Sequence, residues 1–519
     1  MKKIIFFSTL FISLFLFGVF SLSKGNNNIF FEALRTFKYE FLNSLPKYSN
    51  KDLNKIIGES LNDQKDLSLK YLRPFMFQDE IDFTFDTSCI EFDSYEKTDA
   101  APMLLESNVS KISCNDKNRF ILNLNGLSLR INKARSNFLN LNKRGSERGP
   151  TYIATHTQGD NLKFIGAQEN GLFFSGNYPL TNVLPIKTNF HEFVDYFDFY
   201  GPGQFGIKDI LIESKYLYVS YIKQVSQGCF NISIVRGKIS SEIYVLNNSK
   251  SINFEEFFSP SECVISSSKE FNAHQSGGRL FNIDEDRLLF STGDFRQRER
   301  AQSLDSYLGK VLSIDKSDQS FSILASGLRN PQGLFAFNKF EIVITDHGPM
   351  GGDEINFMNL KKKESYNFGW PISSYGAHYG AGSYSKLDEG YIVSKDLAKS
   401  IYKSFPLHES HTEYGYDEPA IYFIPSIGIS QVVGFNRNDG KKYLIFGSMG
   451  YRDNLTQDDM SLYIAEIDPI NEIKILKKIY LDERVRDIDL PDNQNNIIYL
   501  TGDSSGSIYQ VLLEHSKAQ

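Results

Sequence analysis

The chain of 519 residues has one tryptophan, four cysteines, 16 prolines and no excess of positive charge. Each shortage removes a class of protein. Lys and Arg number 56 against 63 Asp and Glu, a net charge of -7, which is the wrong sign for a surface that neutralises phosphates. No nucleic-acid partner is expected. Cys89, Cys114, Cys229 and Cys263 form neither a C-x-x-C nor a Cys/His metal pattern, which argues against a zinc module and a covalent haem. Four cysteines are also too few to staple so long a chain as a small disulfide scaffold. After about Leu22 no apolar run approaches the length of a membrane span. What remains is ordinary globular usage, 41% hydrophobic and 23% charged, which excludes wholesale disorder, collagen and coiled coil.

The first 25 residues are the exception. In MKKIIFFSTLFISLFLFGVFSLSKG two lysines precede an apolar run from Ile4 to about Leu22, which meets the small-x-small pattern Ser21-Leu22-Ser23. This is the layout of a secretory signal peptide, with an uncleaved N-terminal membrane anchor as the alternative. Either one places the remainder outside the cytoplasmic membrane, in the periplasm of a bacterial source, free or tethered. Export supplies oxidant, and of three connectivities the local pairs Cys89–Cys114 and Cys229–Cys263 are expected. Residues 26–118 are read as an N-terminal extension. It is polar and partly helical, with Phe31, Leu34, Phe37 and Phe41 at helical spacing, and nothing in it implies chemistry.

From Arg119 to about residue 515 the texture changes to short strand-like runs separated by Gly, Asn and Asp turns. The 43 Phe, 28 Tyr and 37 Gly fit such an all-β chain. A β-propeller accommodates so many short strands without long helices. A loose recurrence supports it: LYVSYI, LLFSTGD, IVITDHG, LIFGSMG and IYLTGD each end an apolar run in small polar residues. Inner strands delivering side chains to a shared axial opening would read this way.

Chemistry-bearing residues lie in the same region. In HQSGGRL, His274 precedes two glycines that permit close backbone approach to a ligand; a loop histidine bonded to backbone is the alternative. GLRNPQG (327–333), DHGPMGGDEIN (346–356) and NFGWP (367–371), which holds the one tryptophan, follow within about fifty residues. Together they offer a guanidinium, amides, glycine-exposed carbonyls, carboxylates and an indole, a mixture suited to an anionic aromatic cofactor. In ERVRD, Arg484 and Arg486 alternate, so a strand would aim both to one side, either toward an anion or balanced by Glu483 and Asp487.

HQSGGRL, STGD with YLGKVLSID, GLRNPQG, DHGPMGGDEIN, NFGWP, EPAIYFIPSIGIS and ERVRDI, in this order from Gly203 to Leu513, resemble the soluble quinoprotein glucose dehydrogenase and aldose sugar dehydrogenase family, the glucose/sorbosone dehydrogenases. The resemblance implies a six-bladed β-propeller that uses pyrroloquinoline quinone (PQQ) and Ca2+ to oxidise the anomeric carbon of an aldose to the lactone. It implies His274 as general base, with Arg329 as the second catalytic residue. Arg329, Asn330 and Gln332 would contact the cofactor, Trp370 would flank its ring or the sugar, and Arg484 and Arg486 would bind its carboxylates. The Gly348 and Pro349 carbonyls would hold calcium.

Three positions depart from the family pattern. Gly450, in FGSMGYRD, stands where the family carries a cofactor-contacting lysine, with Arg452 two residues on. Ala273 stands where some members have aspartate. A first-blade glutamine has only Gln158 or Gln168 as counterpart. These departures keep a second reading open, a non-catalytic propeller serving as a carbohydrate-binding or cell-surface module. Sugar choice would rest in loops such as Tyr375–Tyr384. Without C-x-x-C-H, electrons would leave to an external acceptor.

Overall fold

The structure, a computed structural model, describes strand segments at 83–85, 122–124, 127–136, 143–144 and 147–148 and most of 151–515, except 377–406 and shorter breaks. The segment expected to be a leader, the stretch of the extension expected to be helical, Cys89, Cys114, Arg452, Glu483 and most of the Tyr375–Tyr384 loop lie outside the described residues.

Six mainly antiparallel sheets of four or more strands follow one another along the chain, two of them with a short parallel strand at the outer edge. Their innermost strands are, in order, Thr151–Gln158, Ile207–Glu213, Gly277–Asn282, Pro331–Asn338, Ile429–Asn436 and Val485–Asp489. Each packs on the next and the sixth returns to the first, which closes a six-bladed propeller. The closing blade is built from both ends of the described chain. Leu127–Ser136 pairs with Ser507–His515, from Leu127 opposite His515 to Arg135 opposite Ser507. Phe83–Phe85, from the segment read as the extension, pairs onto the same strand.

The apolar runs noticed in the sequence are the second strands of their blades, not the innermost ones. In the fourth blade Ile342, Val343 and Ile344 are all fully buried, as are Leu444, Ile445 and Phe446 in the fifth. Consecutive rather than alternate residues are apolar because each blade is covered on both faces by its neighbours. The small polar residues that end these runs tie one blade to the next. Ser220 Oγ donates to Gly278 O (2.5 Å), Ser291 Oγ to Pro331 O (3.2 Å), Thr345 Oγ1 to Ser430 O (2.6 Å) and Thr501 Oγ1 to Thr151 O (2.7 Å). In the fifth blade the same place is Gly447, where an added Cβ would stand 2.4 Å from Val485 Cγ1.

Halfway along the axis Arg279, 1% exposed, plugs the ring. Its Nη1 pairs with Asp209 Oδ1 (3.1 Å) and Asp487 Oδ1 (2.6 Å), Nε donates to Gln332 O (2.7 Å) and Nη2 to Arg486 O (2.7 Å). The carboxylates' other oxygens accept from Leu280 N (2.7 Å) and Ile153 N (2.8 Å). A buried charge is tolerated when every donor and acceptor is met, and this one joins five of the six blades.

Candidate active site

The inner strands begin, and the second strands end, at one mouth of the ring. Two residues beyond the tying position, the blades present Gly293, His347, Met449 and Asp503, while Arg329-Asn330, the His274 turn and Arg484 lead into the inner strands. Sequence segments far apart therefore meet at this face. Asn330 Oδ1 accepts from Gly277 N (3.1 Å) and from Gln332 Nε2 (2.9 Å), and Asp294 N donates to Arg329 O (3.0 Å).

Arg329 is the most tightly held of these groups. Its backbone N–H and that of Asn330 donate to the two oxygens of Asp346 (2.8 and 2.6 Å). Nη1 donates to the carbonyls of His347 and Gly348, both at 2.9 Å. The guanidinium carbon lies 5.5 Å from the centre of the Trp370 ring, and Trp370 Nε1 donates to Asp294 Oδ2 (2.7 Å). With its amide turned to satisfy both neighbours, Gln275 donates to Asp294 Oδ1 (3.1 Å) and accepts from Arg329 Nη2 (2.9 Å). Trp370, expected to flank a ligand, thus lies against the arginine. Burial, reinforced by Glu354, pushes the Asp346 carboxyl up to about 8 despite the two amides it accepts.

Arg484 and Arg486 do share a side, and both reach Asp503. Arg486 approaches it through Nε (3.1 Å) and Nη2 (2.8 Å), Arg484 Nε lies 3.8 Å away, and Arg484 Nη1 donates to Met449 O (2.7 Å). Asp487, read as a balancing charge, instead serves Arg279. Sequence reasoning passed over His347, which reports the convergence most directly. Burial first, then the fields of Arg329, Arg486 and Arg484, push its imidazole down to about 4 against the opposing pull of Asp353. Three arginines from two blades surround one neutral histidine. The signal was present in DHGP, but a strand-end histidine has no meaning until the ring places arginines around it.

His274 sits exposed on the turn Ala273–Gln275, its N–H held by Asn272 Oδ1 (2.9 Å). Ala273 beside it is fully buried, so an aspartate there would enter an apolar core. The two glycines that follow admit the chain's own backbone and side chains rather than a ligand: a Cβ on Gly277 would lie 2.8 Å from Gly293 N, and one on Gly278 2.4 Å from Lys208 Cβ. Gly450 has φ +66, the left-handed region, and donates to Ile427 O (3.1 Å). A lysine there would be strained, which accounts for glycine at that place. Gln168 is buried at the end of the first blade's second strand.

Asp353, in the GGDE run, accepts from Gly348 N, Ser426 Oγ, Ile427 N, Gly428 N and Ile429 N at 2.7–3.1 Å. It joins the fourth blade to the fifth and has little left for a ligand. Among the described residues no group of three or more His, Cys, Asp or Glu side chains is placed to hold a metal ion. Oxygen for a cation would come from the Gly348 and Pro349 carbonyls, and that of Gly348 already accepts from Arg329.

The sequence profile of the Glucose / Sorbosone dehydrogenase family matches residues 188–510. The chain belongs to this family. As a member of it the protein is an oxidoreductase acting on sugar CH–OH groups, and the reading as a non-catalytic module gives way. This dehydrogenase is 24% identical over 340 residues to Aldose sugar dehydrogenase YliI of Escherichia coli (strain K12), covering 60% of this chain and 79% of that one. It is 28% identical over 160 residues to Quinoprotein glucose dehydrogenase B of Acinetobacter calcoaceticus, covering 24% and 32% of the two chains. The crystal structure of the soluble aldose sugar dehydrogenase from Escherichia coli in the apo-form superposes with a TM-score of 0.51 at 20% identity, over 70% of this chain and 96% of that one. At that identity the likeness carries the fold, and the site rests on the residues above.

Proposed function

We propose that the protein is an exported, PQQ- and calcium-dependent dehydrogenase that oxidises the anomeric carbon of an aldose to the lactone. The observation that carries this reading is the trio Arg329, Arg484 and Arg486 around one mouth, with Asp503 paired to the latter two. Such a donor set suits a planar polycarboxylate. Bound there, PQQ would accept the hydride lost from sugar C1.

The chain's own residues supply the rest. His274, exposed at the mouth, would take the C1 hydroxyl proton, so that one C–H hydride and one O–H proton leave and a C=O bond forms. Arg484 and Arg486 would bind carboxylates, while Asn330, Gln332 and Arg329 would meet the cofactor's remaining oxygens. Asp294, through Trp370 and Gln275, holds Arg329 in line. Calcium would be held by the Gly348 and Pro349 carbonyls, where it competes with the Arg329 guanidinium for Gly348 O. The leader layout and the Cys229–Cys263 disulfide support export to the periplasm, and an external carrier would receive the electrons.

The test is a calorimetric titration of the purified chain with PQQ, with and without calcium, followed by an aldose panel with an artificial acceptor. Expected are saturable binding strengthened by calcium, and turnover that His274→Ala abolishes while binding persists. Absence of PQQ binding under both conditions would remove the cofactor reading. Loss of binding in His274→Ala would reassign that residue.

A further inference from the structure

The segment that follows the second strand of the third blade runs from the His274 turn to Trp370. Phe295 N donates to Gln275 O (2.9 Å) and Asn272 N to Phe295 O (3.2 Å), so Phe295 is bonded through both backbone groups to the turn that carries His274. Further along, the Arg298 guanidinium carbon lies 5.8 Å from the centre of the Trp370 ring, the same indole that Arg329 meets at 5.5 Å. Burial pushes the Asp294 carboxyl up, and Arg329 and Arg298 both pull against it. Arg296 stands between these contacts in the chain.

This stretch is held in a conformation that ordinary residues avoid. Phe295 and Arg296 have φ of +51 and +65, two successive side-chain-bearing residues in the left-handed region. Such backbone persists only where its surroundings impose it, and it clusters at ligand clamps. Here the fully buried Phe295 ring anchors it in the core, which fixes the place from which the half-buried Arg296 leaves the backbone. Arg296 N donates to Asp294 Oδ1 (2.7 Å), whereas its guanidinium has no hydrogen bond or ion pair among the described residues. Gln297 supplies a second, independent indication: its Nε2 is buried and meets no acceptor, a cost that an accepting ligand would remove. Arg300, the third arginine of the run, is accounted for by Glu262 (2.8 Å).

Position in the ring separates these donors from those assigned to the cofactor. The third and sixth blades of a six-bladed ring stand opposite each other, so Arg296 and Arg298 belong to the far side of the mouth from Arg484 and Arg486. A planar acid bound at the sixth blade leaves the third-blade donors to the other reactant. A cation would be repelled there. A neutral hydroxyl can accept from the amide but leaves two guanidinium charges unmatched, whereas carboxylate or phosphate oxygens accept from all three groups in charge-assisted bonds.

We propose that the sugar oxidised at this mouth carries an anionic group, a carboxylate or a phosphate, remote from its anomeric carbon, and that Arg296, with Gln297 and Arg298 beside it, selects that group. The inference deepens the dehydrogenase reading and rests on it for turnover, but binding is read without the cofactor. Calorimetric titration of the full chain without PQQ compares D-glucuronate and D-glucose 6-phosphate with D-glucose. At least one anion should bind saturably and at least tenfold more tightly than glucose, and which one does so names the group. Arg296→Ala should weaken that binding at least tenfold and Arg296→Lys should restore part of it, while Arg484→Ala keeps it within threefold. Should Arg296→Ala fail to fold, Arg296→Gln replaces it, with the same loss expected. With PQQ and calcium bound, the same anion should exceed glucose at least tenfold in kcat/KM, an advantage carried by KM and lost with Arg296. Glucose bound or turned over as well as both anions, or equal anion binding by Arg296→Ala, would overturn the proposal. So would loss of binding in Arg484→Ala alone, which would move the anion into the cofactor's place. A chain that takes up no PQQ removes the cofactor reading and leaves the anion titration to decide by itself.

Discussion

A carboxyl group that shares one guanidinium with a second carboxylate, out of contact with water, must surrender its charge over part of the pH range. Asp209 is in that position, raised to about 8 by burial and by Asp487. Between the ordinary carboxyl range and pH 8 the folded chain keeps a proton that the unfolded chain has released, so stability falls as pH rises through that window. Asp346, also raised to about 8, adds to the fall. His347 acts at the other end. The unfolded imidazole takes up a proton below about pH 6.5 and the folded one only near 4, so stability falls as pH drops between them. Asp209→Asn should flatten the alkaline fall and leave the acid one intact, read as urea midpoints from pH 5 to 9. An unchanged alkaline slope would mean that Asp209 is ionised in the fold.

The two arginines of the last blade should separate by the same logic. Arg484, the more exposed, should weaken PQQ binding roughly 10- to 100-fold on change to alanine, about 1.4–2.8 kcal/mol, with little effect on unfolding. Arg486→Ala should also destabilise the fold by about 3 kcal/mol, because it strands the buried Asp503. Paired PQQ titrations and urea melts on both variants check this; equal stability losses would contradict it.

Among elements, the segment 298–308 is tied to several parts of the fold outside it. Glu262, next to the Cys229–Cys263 disulfide, accepts from Arg300 Nη1 (2.8 Å), Ser306 Oγ (2.7 Å) and Tyr307 N (3.0 Å). Lys310 Nζ donates to the carbonyls of Arg300, Ala301 and Leu308 at 2.7–2.9 Å, and Gln302 Nε2 donates to Trp370 O (2.7 Å). The disulfide is thereby linked, through this segment, to the tryptophan beside Arg329. Changing both cysteines to serine should cost about 3–4 kcal/mol from loop entropy and raise hydrogen exchange across 298–308. A stability loss without faster exchange there would disconnect the two.

At this scale the sequence was readable where chemistry is local. GLRNPQG and DHGPMGGDEIN lie in adjacent parts of one blade, and the expected Cys229–Cys263 pair closes within one blade. It misled where role depends on the ring. The endings of LLFSTGD and IVITDHG read as axial residues, whereas Ser291 and Thr345 tie neighbouring blades, because the strand that carries each is second from the axis. Arg279, inside HQSGGRL, gave no signal of its role as a plug; its partners Asp209, Asp487 and Gln332 lie in other blades, which spacing along a chain does not encode.

For the whole molecule, the decisive feature is that its last sheet is completed by its first long strand. The family profile covers 188–510, so the first blade and the closing strand at 127–136 fall outside the part with recognisable motifs. Removing 127–136 should leave Ser507–His515 as an open edge and give a chain that associates or fails to fold, where a cut confined to an unpaired terminus would be silent. Size-exclusion chromatography and circular dichroism distinguish these; a stable monomer with native strand content would mean the ring does not need that seam.

The seam also orders events in time. Leu127–Ser136 is synthesised early, yet its partner Ser507–His515 is among the last pieces of the ring to be made, so an adhesive strand must wait with one edge unmatched through most of translation. Newborn chains are most vulnerable to pairing with one another during that interval.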